Sequence, residues 1–142
     1  MKKTINIALS LMLIVAMCLT FGACGRKPAE EALWENATYT EDAEFGSGAK
    51  TVFVEVKAEE KSVTFKINTD KETLGEALLE HKLIAGEKGP YGLYVKVVNG
   101  ITADYDVNQS YWGFNKNGES MLTGVDGAEI VGGEHFELVY TK

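Results

Sequence analysis

Apolar and polar positions alternate along two stretches in the middle of the chain. Val52, Val54 and Val56 alternate, with Glu55 and Lys57 between and after them; Val63, Phe65 and Ile67 alternate with Thr64, Lys66 and Asn68. A period of two puts every second side chain on one face, which predicts two half-buried strands. Only Glu59, Glu60 and Lys61 separate them, so a hairpin is expected.

The period then changes. Leu74, Ala77 and Leu78 form an apolar stripe at helical spacing, and His81 falls on the same stripe. Thr73-Leu74-Gly75-Glu76 fits a capping box, in which the Thr73 hydroxyl accepts from an amide one turn in and Glu76 reaches back to the Thr73 amide. Gly86 and the Gly89-Pro90 pair end the segment. Short strands are expected at Leu93 to Val98, from Ile101, at Tyr111 to Asn115, at Glu119 to Leu122, and over Phe136, Leu138 and Tyr140. Asn99-Gly100 and Asn117-Gly118 carry the signature of two-residue hairpin turns. A hairpin, one helix and a run of short strands predict an α+β fold: a β-grasp-like two-layer domain with one helix packed on a mainly antiparallel sheet.

The first residues follow another logic. Lys2 and Lys3 precede an almost unbroken apolar stretch, Ile5 to Met17, too short to span a bilayer comfortably and suited to a signal-peptide core. Gly22 and Ala23 then stand before Cys24, in the manner of a bacterial lipobox. The expected organisation is a lipoprotein signal peptide over 1–23, lipidation at Cys24, a flexible acidic tether over 24–49 and a compact domain over 50–142. Such a tether would reach roughly 25–30 Å and clear the lipid headgroups. Trp34, Tyr39 and Phe45 are unusual in a tether and suggest that part of it packs back on the domain.

Charge narrows the partners. The formal charge is −7, and loss of residues 1–23 would make it −9, since that segment holds Lys2 and Lys3 and no acid. Neither nucleic acid nor a polybasic hold on lipid fits this balance. With Cys18 discarded and Cys24 acylated, no disulfide and no thiolate nucleophile remain. His81 and His135 are the two histidines. His135 falls opposite the apolar face of the last strand, in solvent. No clustered histidines, nucleophile elbow, phosphate loop or dinucleotide fingerprint is present, so the expectation is no enzyme, no metal and no cofactor. Asp104-Tyr105-Asp106-Val107-Asn108 opens like a calcium loop, but Gln109 takes the place of the required glycine and Asn115 that of the closing glutamate.

The remaining signal is aromatic. Tyr91, Tyr94, Tyr105, Tyr111, Trp112 and Phe114 crowd into one stretch, flanked by Gly92 and Gly113. Some must build the core. Others are candidates for a flat apolar platform that holds a ligand. Adjacent strand residues point to opposite faces. The expectation is Trp112 on the surface and Tyr111 in the core.

Six short segments occur in order: Thr73 to Leu79, Tyr91 to Val95, Val98 to Ile101, Tyr111-Trp112, Asn117 to Glu119 and Thr123 to Asp126. Together they resemble the bacterial domain of unknown function DUF4430, which is itself similar to the C-terminal β-domain of the eukaryotic cobalamin carriers transcobalamin and intrinsic factor. The resemblance implies a surface lipoprotein. It suggests a non-enzymatic module at the extracellular face of the bacterial cell membrane that binds a small amphipathic ligand, cobalamin-like or other, for delivery to a membrane transporter. Trp112, Tyr91, Tyr94, Tyr111 and Phe114 are the candidate ligand-binding residues. The alternative is a protein- or cell-wall-interaction module that uses an open sheet edge.

Overall fold

A computed structural model describes residues 33–142. The signal segment and Cys24 lie outside the described residues. Among the described residues, nine strands, β1 (Ala43–Phe45), β2 (Lys50–Ala58), β3 (Lys61–Thr69), β4 (Ile84–Gly89), β5 (Gly92–Val98), β6 (Ile101–Thr102), β7 (Tyr111–Lys116), β8 (Glu119–Ser120) and β9 (His135–Thr141), build two sheets. Helices α1 (Leu74–Glu80) and α2 (Tyr105–Asn108) and a 3-10 turn at Val125–Gly127 join them.

The larger sheet has the order β1-β3-β2-β9-β7-β8, and the smaller has the order β4-β5-β6. β2 and β3 form the expected hairpin. β9 lies parallel to β2 and antiparallel to β7, and β1 runs parallel to β3. The large sheet is therefore mixed.

This corrects the expectation of an α+β, β-grasp-like domain with one helix on a mainly antiparallel sheet. The fold is β-rich, with two sheets. The reason is one of area. A seven-residue helix is about 10 Å long, whereas six strands about 4.8 Å apart make a sheet roughly 24 Å wide. Leu74, Ala77 and Leu78 of α1 cover part of its apolar face. Ile84, Val98, Ile101 and Ala103, from the small sheet and its flanks, join them in the same core as Val52, Val54, Phe65, Phe136 and Leu138.

Several local expectations meet their counterparts. Thr73 caps α1, its hydroxyl accepting from the Glu76 amide at 3.3 Å. The two Asn-Gly turns have the paired positive φ of type I′ geometry: Asn99 51° and Gly100 78°, Asn117 52° and Gly118 81°. β4 was not expected. Its Gly86 sits where a Cβ would lie 1.9 Å from the Tyr94 carbonyl oxygen, beside a register shift between Ala85 and Gly86. There a glycine read as a stop permits close strand pairing.

The segment read as tether also differs over its described part. Trp34 is buried and donates its indole N–H to the Ala58 carbonyl at 3.0 Å. Tyr39, Phe45 and Phe65 form an edge-to-face cluster, and the Asn99 amide exchanges two hydrogen bonds with the Tyr39 backbone. The packed domain thus extends to Trp34, well before Lys50.

Candidate functional site

β7 alternates Trp112 and Phe114 on the face toward the core with Tyr111, Gly113 and Asn115 on the other. Trp112 is 8% exposed and Tyr111 43%. The expected orientation is thus reversed. Trp112 and Phe114 pair across the ladder with Tyr140 and Leu138, and their rings meet Tyr140 and Phe136 at centroid distances of 5.6 and 5.7 Å. The Trp112 indole N–H donates to the Lys96 carbonyl of β5 at 3.2 Å, tying the large sheet to the small one.

Beside this junction the two sheets part. Leu93, Tyr94, Val95, Trp112, Phe114, Gly124, Val125 and Leu138 line a recess of about 150 Å³. Its lining comes from β5, β7, β9 and the loop around the 3-10 turn. Asp126 fixes that loop: its carboxylate accepts from the Leu93 amide at 3.0 Å. Below it, a Cβ on Gly75 would come within 2.5 Å of the other Asp126 carboxylate oxygen. The glycine inside the helix lets α1 approach the loop that walls the recess.

Of the sequence candidates, Trp112, Phe114 and Tyr94 meet at this recess. Tyr91 stands at the tip of the β4–β5 hairpin, 99% exposed, and Tyr111 lies on the opposite face of the large sheet. Leu93, Val95, Gly124, Val125 and Leu138 were missed. The apolar alternation of Trp112 with Phe114, against Gly113 and Asn115, was the signal for the inward face. The calcium-like stretch forms α2 with Asp104 as its cap, a local structural role.

Two larger recesses lie elsewhere. One of about 290 Å³ is lined by Trp34, Thr40, Lys61, Ser62 and Val63. Another, of about 420 Å³, is polar and runs between Gly46–Gly48, Asn68–Lys71 and His81.

On the outer face of the large sheet, parallel pairing sets Glu55 of β2 opposite Glu137 of β9. His135, two residues before Glu137, brings its Nε2 to 3.3 Å from Glu55 Oε2. The three side chains each place a ligand-type atom within 4.8 Å of the others. Lys57 Nζ stands 3.8 Å from Glu55 and 3.5 Å from Glu137. His135 thus pairs with Glu55 and has Glu137 close by, which the expectation of a solvated histidine did not include.

The family model of DUF4430, a domain of unknown function, matches residues 71–142. Among solved structures, a candidate metal-binding protein from Ruminococcus gnavus is 35% identical, with a TM-score of 0.62 over 66% of this chain and 97% of that one. Haptocorrin in complex with Cbi is 19% identical, with a TM-score of 0.50 over 69% of this chain. This chain covers 26% of haptocorrin, and at that identity the likeness is one of fold. No curated protein gave a match.

Proposed function

The chain belongs to the DUF4430 family, and from that footing we propose that it is a non-enzymatic binding module that takes a small amphipathic ligand at the recess between its two sheets. The observation that carries this reading is convergence. Leu93, Tyr94 and Val95, Trp112, and Gly124 and Val125 come from three of the segments that resemble the family, and all line one recess. The recess beside Trp34 is built from residues before 71, outside the family match, and the polar one mostly so.

Size defines what the recess does. Sites that enclose a whole small molecule measure about 300–1,000 Å³, and this one is about 150 Å³. It takes one apolar edge or limb of a ligand and leaves the rest on the rim. Of the exposed tyrosines of the β4–β5 hairpin, Tyr94 lines the recess, whereas Tyr91 stands at the hairpin tip. A corrinoid or another broad amphipathic molecule has this division between an apolar edge and a polar periphery. Haptocorrin, with the same fold and a bound Cbi, supports the reading by analogy.

The lipobox-like Gly22-Ala23-Cys24 supports a lipid anchor at the outer face of a bacterial membrane, and capture there would serve delivery to a membrane transporter. Incubating the full chain with corrinoids and other amphipathic small molecules, then identifying retained compounds by mass spectrometry, tests the binding reading. Retention of one compound class over the rest is expected. Retention of none overturns it.

A further inference from the structure

We propose that Glu55, His135 and Glu137 form a divalent-cation site of the zinc class on the outer face of the large sheet, separate from the recess.

Strand pairing creates the site. Like charges directly opposite on neighbouring strands repel, yet the register sets Glu55 against Glu137. Neither carboxylate can move to the other face, because a one-residue slip would put Val54, Val56, Phe136 and Leu138 into water. The pair is therefore held; Lys57 offsets part of the repulsion, and a divalent cation between the two would offset more of it. His135 supplies a nitrogen donor. Two donors each about 2.1 Å from a zinc ion at a near-tetrahedral angle of roughly 104° lie about 3.3 Å apart. The His135 Nε2 to Glu55 Oε2 separation is 3.3 Å. A Glu137 carboxylate oxygen lies within 4.8 Å of the other two ligand atoms.

The surroundings favour a three-ligand site with an open position. The His135 side chain is 40% exposed, which leaves room for a solvent ligand. Asn115 of β7 pairs with Glu137 on the far side of β9, a polar neighbour on the same face. Lys57 is the one opposing feature. Its ammonium pairs with both carboxylates, 3.8 Å from Glu55 and 3.5 Å from Glu137, and competes with a metal for them. A nitrogen donor with two carboxylates suits zinc and related transition ions, while calcium prefers an all-oxygen set.

Titration of the full chain with zinc chloride by calorimetry tests the proposal, with calcium chloride as the second arm. Saturable zinc binding is expected, weakened at least about tenfold by His135→Ala and by Glu137→Gln. Lys57→Gln should tighten it, an effect that general loss of structure cannot produce. Thiols of Cys18 or Cys24 would contribute equally to every variant, so the differences report the cluster. Zinc binding that is unchanged in His135→Ala and Glu137→Gln, or a preference for calcium, overturns the proposal.

Discussion

Trp112 donates its indole N–H to the carbonyl oxygen of Lys96, so the ring that forms one wall of the recess also joins the two sheets. The same carbonyl accepts from the Ala103 amide at 2.8 Å. Removing the indole therefore leaves the carbonyl satisfied. Trp112→Phe should cost about 0.5–1.5 kcal/mol for the lost hydrogen bond, plus the smaller loss of ring contact. Trp112→Ala should cost about 3–5 kcal/mol. Chemical denaturation of both variants checks this, and a Trp112→Phe midpoint equal to that of the wild type would show that the bond contributes nothing.

Trp34 should behave as a core residue although it precedes the expected domain. Trp34→Ala should destabilise the domain by about 3–5 kcal/mol, because a buried ring and its bond to Ala58 are lost together. A chain beginning at Lys50 should melt well below one beginning at residue 33. Coincident melting curves would return residues 33–49 to the role of a tether.

Thr73→Ala should cost about 1 kcal/mol, the usual value of a helix N-cap. The Thr73 hydroxyl accepts from the Glu76 amide, while the Thr73 backbone bridges to Glu129. The hydroxyl thus caps α1, while the backbone on either side of Thr73 ties the loop before β9. An unchanged denaturation midpoint would remove it from the account.

Acid should loosen β1 before the rest of the fold. The Asn68 amide and then the Lys66 ammonium hold the Glu44 carboxyl below its ordinary value of 4.5. A depressed acid contributes fully above its unfolded pKa, and the contribution is lost as pH falls through the folded value. Protection of the Ala43–Phe45 amides, the exchange rate relative to the intrinsic rate at each pH, should therefore hold at neutral pH and fall only once the pH drops below the ordinary value of 4.5. Glu44→Gln should abolish that acid-dependent step. Protection that is already lost near neutral pH would contradict it.

What the sequence made legible was local. The period-two runs of β2 and β3, the Thr73 cap and the Asn-Gly turns all depend on residues a few positions apart. The recess and the cation cluster depend on strands far apart in sequence. Glu55 and His135 stand 80 residues apart and meet because β9 inserts parallel to β2. Parallel pairing has no turn to announce it. Alternation along β7 required that Tyr111 and Trp112 face opposite ways, but the choice between them lay in their neighbours. Phe114 shares the side of Trp112, and Asn115 shares that of Tyr111. The second sheet was hidden by Gly86, which reads as a terminator and functions as a point of close strand approach.

The recess is the centre of this account, and two glycines test it with matched changes. A Cβ on Gly124 would point into open space, with the Leu93 carbonyl oxygen at 3.8 Å, and Gly124 lines the recess. A Cβ on Gly113, on the opposite face of the large sheet, would meet Thr141 and Val139 at 3.5 Å, also ordinary contact. Neither substitution is strained by a left-handed backbone, so both Gly124→Leu and Gly113→Leu should fold. Equilibrium dialysis of the full chain and both variants against cobalamin is the direct measurement. Binding by the wild type, retained in Gly113→Leu and weakened at least about tenfold in Gly124→Leu, which is about 1.4 kcal/mol, is the expected result. Equal binding by Gly124→Leu and the wild type would place the ligand elsewhere and contradict the account.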